Sequence, residues 1–337
     1  MYIVRPASII DLPGIEKLLA NNEVRVTTLP SDRDKLGELL HLSALSFGKQ
    51  LDNPKESTFI FILENIETGE VAGVSGLDAY AGVGYPFFNY RMEELIHASH
   101  NLGVHVTAEI LYLSHELTGS SVLRSFAIKK ELKDTPYFEL LSRARFLFMA
   151  QDPELFSEVT VTEVQGQLND QGDSDFWNSI GKHFFDIDFH TADYYVGIKS
   201  KTFIAELMPQ HPIYVSLLTP EAQGVMNKAH PLTDRTCQLL SRDGFDKSRF
   251  IDIFDGGPVL KNKTKNIQTI VNSKQKYVVT SDLVGGIKYL ISNAEYGEFR
   301  CTIGNLVDGI GGSVRLENSL AKAIHASDGD SIRYSFL

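Results

Sequence analysis

The sequence predicts an α/β (α+β) chain, a mixed sheet flanked by helices with a small all-β, barrel-like subdomain at the C-terminal end. Three observations predict it. Apolar runs of strand length alternate with helix-spaced segments through most of the chain. Ser120–Ala150 (SSVLRSFAIKKELKDTPYFELLSRARFLFMA) sets a strand, a short charged loop and a helix in succession. From Asn266 to Leu337 the sequence breaks into short β-rich runs separated by Gly285-Gly286, Gly311-Gly312 and Asp328-Gly329.

Taken in order, the opening Ile3–Ala7 reads as a strand. Ser8 then caps a helix carrying Ile15, Leu18 and Leu19. Thr58–Leu63 and Val71–Leu77 flank Glu67-Thr68-Gly69-Glu70, which reads as a hairpin. Ala79–Val106 is irregular and aromatic at first, and Met92–Gly103 (MEELIHASHNLG) within it is helix-like. Leu111–Leu113 reads as a short strand. Val122–Ile128 follows as a buried strand. Thr135 and Pro136 then make a favourable start for a helix to Ala150, with Tyr137, Leu141, Ala144 and Phe148 at helical spacing. Glu158–Gln167 alternates as a strand, and Ser174–Phe185 reads as one capped helix. Thr219-Pro220-Glu221 starts a further helix, and Thr233 or Asp234 caps the next. Phe250–Leu260 (FIDIFDGGPVL) is a strand broken at Gly-Gly-Pro. Ile267–Ser273 (IQTIVNS) reads as the first of the C-terminal strands.

Composition narrows the function. The chain has 337 residues, 43% of them hydrophobic, enough for a sizeable core. Its net charge of -11 argues against a general nucleic-acid binder, which needs a basic footprint. Two cysteines, Cys237 and Cys301, point to a reducing compartment rather than a disulfide framework. No uninterrupted apolar stretch is long enough to span a bilayer, and the start shows no secretory pattern, so the expected setting is cytoplasmic.

Against this acidic background Lys129, Lys130 and Lys133 reverse the charge beside a helix N-terminus. Loop N–H groups and lysines there form an expected anion cradle. His97, His100, His105 and His115 complete no metal-ligand motif, and Gly82-Val-Gly84 lacks the rest of a dinucleotide fingerprint. Cys237, Trp177 and the pair Phe184–Phe185 read as packed residues.

Several stretches together resemble the arginine N-succinyltransferase family (alpha chain or sole subunit), of the GNAT-like acyltransferase superfamily. They are NYRMEELIHAS (Asn89–Ser99), LTGSS (Leu117–Ser121), SRARFLFMA (Ser142–Ala150), FWNSIGKHFFDIDF (Phe176–Phe189), FIAELMPQHPIY (Phe203–Tyr214) and FIDIFDGGP (Phe250–Pro258). The resemblance implies a GNAT-like acyl-CoA-binding domain over residues 1–200, its continuation carrying the catalytic histidine over 201–258, and the all-β subdomain over 259–337. It implies succinyl transfer from succinyl-CoA, a co-substrate rather than a resident cofactor, to the α-amine of L-arginine or ornithine in arginine catabolism. The family's catalytic histidine falls on His230 and its succinyl-CoA contact on Phe126, with Ser125, Ala127 and Ile128 beside it on the strand; no metal is implied. As partners it implies a homodimer or a heteromer with a homologous chain.

Two departures are visible. The loop Lys133–Phe138 (KDTPYF) has no glycine where such enzymes carry a glycine-rich pyrophosphate loop, and Pro136 removes a donor. Gln165 stands where an arginine is expected, and glutamine has no bidentate cationic grip on a carboxylate. These departures keep two rivals open, an amine N-acyltransferase with another acyl-CoA donor and a catalytically degenerate partner subunit. For the guanidinium the sequence offers Glu109, Glu163, Asp252 and Asp255; the last two equally suit Asx turns.

Overall fold

In the computed structural model, which describes residues 1–23, 26–198, 206–282 and 285–337, the chain opens with β1 (Tyr2–Pro6), α1 (Leu12–Ala20) and α2 (Arg33–Phe47). The hairpin β2 (Thr58–Asn65) and β3 (Glu70–Asp78) follows, then a longer one, β4 (Asn89–Ser99) and β5 (Val104–Ser114). Next come β6 (Ser121–Ile128), α3 (Pro136–Met149) and β7 (Val159–Glu163). β8 (Ile213–Tyr214), β9 (Asp246–Ile251) and β10 (Pro258–Lys263) lie among short helices. The C-terminal strands are β11 (Lys274–Ser281), β12 (Ile287–Asn293), β13 (Cys301–Asp308), β14 (Val314–Glu317) and β15 (Ser331–Phe336).

The chain divides into two units. The first comprises Met1–Tyr80, Ser121–Glu158 and Lys263–Leu337. Its centre is the antiparallel run β1–β2–β3–β6. β2 is apolar without a break from Phe59 to Leu63 (FIFIL) because both of its faces are covered. Ile60 and Ile62 pack with Leu12, Ile15, Leu36 and Leu40 of α1 and α2. Phe59 and Phe61 turn the other way, with ring centroids 4.9 Å and 5.3 Å from Phe148 of α3. Thr135 caps α3 by accepting the Tyr137 N–H, and Pro136 takes the first helical position, as expected.

The C-terminal strands close on themselves. β11 pairs with β14 and β15, β14 with β13, β13 with β12, and β12 with β15, a five-stranded ring. Val278, Ile291, Val314, Leu316 and Ile332 fill it, together with Leu320 and Ile324 from the short helix Asn318–Ala323 and its end. This is the small barrel the sequence predicts. Closure leaves its strands without free edges.

The second unit comprises Ala81–Ser120 and Val159–Asn262, with strand order β7–β10–β9–β4–β5–β8. Its core gathers Tyr90, Leu111, Phe176, Trp177, Ile251 and Ile253. Trp177 is fully buried, whereas Phe184, expected to pack, is 44% exposed.

Local reading fails in four places. Met92–Gly103 is not a helix. Through Ser99 it is the second part of β4, paired with β5 in unbroken register from Asn89↔Ser114 to Ser99↔Val104, and Gly103 (φ 61°) serves the turn. The helical spacing of Met92, Leu95 and Ile96 is overridden by eleven cross-strand pairs. Ile267–Ser273 is not a strand; Gln268–Val271 is one helical turn. Ser174–Phe185 is two helices, Asp175–Ser179 and Gly181–Phe185, divided at Ile180. Finally, α2 lies in a stretch where the sequence was assigned no element. Of the stretch Phe203–Tyr214, residues 203–205 lie outside the described ones.

Candidate active site

In the first unit β6 carries a bulge. Val74 opposes Ala127 and Gly76 opposes Arg124, so Ser125 and Phe126 together face the single residue Ser75. The extra residue re-aims the strand and interrupts the ladder. Ser125 adopts φ 57°, a left-handed conformation that costs a non-glycine residue energy. Thr28 secures it, accepting the Ser125 N–H at 3.0 Å, with its hydroxyl 3.0 Å from Ser125 Oγ. Arg124 reinforces the same point through Asp78 at 2.8 Å and the Thr28 carbonyl at 2.9 Å. Of the four strand residues expected to meet the acyl donor, Ser125, Ala127 and Ile128 are buried, and Ala127 packs into the core under α1 and α2. Phe126 alone is half-exposed, its ring 5.1 Å from that of Phe138 and edge-on to it.

Beneath Phe126 lies a residue that the sequence analysis did not single out. Arg145 of α3 is 2% exposed, with its Cζ 5.6 Å from the Phe126 ring centroid. Nε donates to the Ser142 carbonyl at 3.0 Å, Nη2 to Ser142 Oγ at 3.1 Å, and Nη1 to the Gly76 carbonyl at 3.1 Å. All three acceptors are neutral, and burial alone pushes the guanidinium pKa down to about 9. The signal for it was present, an arginine set directly before the apolar run FLFMA.

The expected anion cradle is occupied from within. The N–H groups of Leu132, Lys133, Thr135, Tyr137 and Phe138 all donate inside the turn, so the loop does not present them free. Lys129 pairs with Glu70. Lys130 and Lys133 both grip Glu23, at 2.7 Å and 2.8 Å, and their hydrogen bonds hold its carboxyl down to about 2.

His230 belongs to the second unit and is half-buried. It caps the 3-10 turn Pro231–Thr233, with Pro231 in the first position, and leads into the helix Asp234–Arg242. Its Nδ1 accepts the Leu232 N–H at 3.2 Å, its own N–H donates to the Gln165 carbonyl at 2.8 Å, and its carbonyl accepts from Thr233. The backbone therefore fixes the tautomer. With Nδ1 accepting, a neutral imidazole carries its proton on Nε2. Nε2 itself meets no hydrogen-bond partner among the described residues.

Three of the four carboxylates suggested for a guanidinium have hydrogen-bond partners within the fold. Asp252 Oδ1 accepts the N–H groups of Phe254 and Asp255 in an Asx turn. Asp255, buried, accepts from Gly257 and Gly166, both at 2.8 Å. Burial, and then the charge of Asp252, raise its pKa well above the usual carboxylate range. Glu163 accepts from Asn89 at 2.6 Å, and Glu109 is exposed on β5. His97 lies on β4, its ring stacked 6.0 Å from Tyr214. Gln165 Oε1 is buried without a hydrogen-bond partner among the described residues. No group of three or more potential ligands is placed to hold a metal among the described residues, and none of the described helices is long and apolar enough to cross a membrane.

Comparison with known proteins matches residues 2–269 to the model of the arginine N-succinyltransferase beta subunit, and residues 275–336 to that of its C-terminal domain. The arginine N-succinyltransferase subunit alpha of Pseudomonas aeruginosa is 40% identical over 99% of both chains. The arginine N-succinyltransferase of Photorhabdus laumondii is 36% identical over 99% of this chain and 97% of its own. Among solved structures, the arginine/ornithine succinyltransferase subunit AI of Pseudomonas aeruginosa superposes with a TM-score of 0.91 at 37% identity, covering 100% of this chain and 98% of that one. Fold and relatives alike make this chain an acyltransferase. It belongs to the arginine N-succinyltransferase family.

Proposed function

We propose that this chain transfers the succinyl group of succinyl-CoA to the α-amine of L-arginine, by direct attack in a ternary complex without an acyl-enzyme. The observation that carries the reading is the match over 99% of both chains to the Pseudomonas aeruginosa subunit alpha. The amine gives one proton to solvent before it reacts, because only a lone pair attacks the thioester carbon. The C–N bond then forms, the C–S bond breaks, and the proton that the nitrogen sheds balances the one that the sulfur gains. Charge develops first on the carbonyl oxygen. We assign the backbone at the β6 bulge, at Phe126, to stabilise it, with Ser125, Ala127 and Ile128 setting the strand's path. His230 serves the leaving sulfur. Its Nε2 is the unengaged ring nitrogen, and the capped Nδ1 makes Nε2 a hydrogen-bond donor rather than a free base.

Ornithine stands beside arginine in the name of the solved relative, and belongs in the same assay. The relatives named as subunits support an assembly, either of identical chains or with a homologous one. Both cysteines are unpaired, which suits a cytoplasmic setting.

Calorimetric titration with succinyl-CoA beside acetyl-CoA, with and without L-arginine, tests the reading when coupled to an assay of thiol release. Binding and turnover of succinyl-CoA with arginine is the expected result. Turnover of acetyl-CoA alone would replace the donor. A folded protein that binds neither would overturn the reading, in favour of a degenerate subunit.

A further inference from the structure

Arg145 is a cation in the interior of the first unit without a counter-charge. A guanidinium has five N–H donors. Three are used, all on neutral oxygens, which leaves one on each terminal nitrogen. No carboxylate pairs with it among the described residues, and desolvation is the sole influence on its pKa. A buried charge in this condition is costly unless something else compensates it. Its bond to the Gly76 carbonyl places it directly under the bulge, since Gly76 lies next to the residue that faces Ser125 and Phe126. The Phe126 ring covers it and is the half-exposed member of the strand.

Resting on the functional reading above, we propose that Arg145 is the specificity residue of the acyl-donor site, taking the terminal carboxylate of a dicarboxylic acyl group while the Phe126 ring moves aside. Arg145 holds the carbonyl of Gly76, the neighbour of the residue that faces Phe126, so the guanidinium and the backbone assigned to the thioester lie at the same bulge. The two remaining N–H donors match the two oxygens of a carboxylate, a charge-assisted arrangement that arginine makes well. Gln165, a neutral amide, has no charge to offer such a group. A carboxylate held at Arg145 would be desolvated and paired at once, and this separates succinyl from an unbranched acyl chain of the same length.

The alternative is that Arg145 only ties down the carbonyl beside the bulge, and donor selectivity distinguishes the two. Turnover is measured with succinyl-CoA and with butyryl-CoA, the same chain ending in a methyl group, for the wild type and for Arg145→Met. The wild type should favour succinyl-CoA, and the variant should lose about 10²-fold of that preference, with butyryl-CoA turnover changed far less. An equal fall with both donors overturns the proposal and leaves a purely structural arginine. A wild type that turns over butyryl-CoA as well as succinyl-CoA also overturns it, while a wild type inactive with every donor refutes instead the functional reading beneath it. If Arg145→Met does not fold, Arg145→Lys carries the test. It keeps the charge but not the planar pair of donors, so the preference should fall about tenfold with the circular dichroism spectrum unchanged. Unaltered preference in a folded lysine variant overturns the assignment.

Discussion

The Nδ1 atom of His230 accepts the backbone N–H of Leu232 at 3.2 Å, so one contact both starts a helical turn and decides which ring nitrogen carries the proton of the neutral ring. Capping and catalysis separate by substitution. His230→Ala loses the cap and the donor, whereas His230→Asn keeps a good capping residue and loses only the ring. Both variants should lose about 10²- to 10⁴-fold in kcat, but only the alanine variant should also lose about 1 kcal/mol of stability. Steady-state rates and thermal melts read the two effects independently. An asparagine variant with undiminished kcat would remove His230 from the chemistry.

The turn after β9 is crowded enough to be tested at a single atom. A Cβ on Gly257 would stand 2.2 Å from the Val164 carbonyl oxygen and 2.6 Å from the Gly166 nitrogen. Backbone cannot yield as a flexible side chain can, so Gly257→Ala is expected to cost about 3 kcal/mol. Gly224→Ala, with nothing within 4 Å of the added carbon, lies within the helix Pro220–Val225, is the control, and should leave the urea midpoint unchanged or slightly raised.

Asp255 makes stability depend on pH in an uncommon direction for a carboxylate. Its folded-state pKa is raised by burial and then by Asp252, so the native state holds a proton that the unfolded chain has already released. That contribution is complete below the unfolded value of about 3.9 and is lost as pH rises through the folded one. The urea midpoint should therefore carry a component that declines upward from mildly acidic pH. Asp252→Asn removes the like charge and should flatten it. A wild-type midpoint that does not decline over this range would show that Asp255 is ionised in the folded state.

What the sequence disclosed follows the range of the interactions. The runs Thr58–Leu63 and Val71–Leu77 announce a hairpin, and Thr135-Pro136 announces a helix start, because each signal lies within a few residues. The barrel was legible from its turns. β4 was not, because Met92, Leu95 and Ile96 suit a helix locally, and only pairing with β5 makes them a strand. His230 came from family resemblance; a His-Pro pair alone gives a cap, and the protonated Nε2 follows only once Leu232 is seen to donate. Arg145 stayed hidden for a related reason. Arg145 stands two residues after Arg143 in a helix that looks amphipathic, and the absence of a counter-charge becomes visible only when Gly76, 69 residues away, is found as its acceptor. Likewise the lysine loop promised an open cradle, and only folding brings Glu23 to two of its lysines.

That last pairing has its own consequence for acyl-CoA binding. Glu23 is exposed, and its contacts to Lys130 and Lys133 are surface ion pairs, worth little to stability. The carboxylate, held down to about 2, nevertheless stays charged throughout the assay range and neutralises the charge that phosphates of CoA would seek beside α3. Glu23→Gln should leave the melting temperature almost unchanged yet tighten succinyl-CoA binding about two- to fivefold at low ionic strength, an increment the size of a surface charge interaction. The gain should fade in 1 M salt, where screening acts over about 3 Å. Lys130→Gln should weaken binding under the same low-salt conditions. Calorimetry at two salt concentrations checks both variants. If neither changes the affinity at low salt, the phosphates do not bind at this loop, and the acidic partner is only part of its surface.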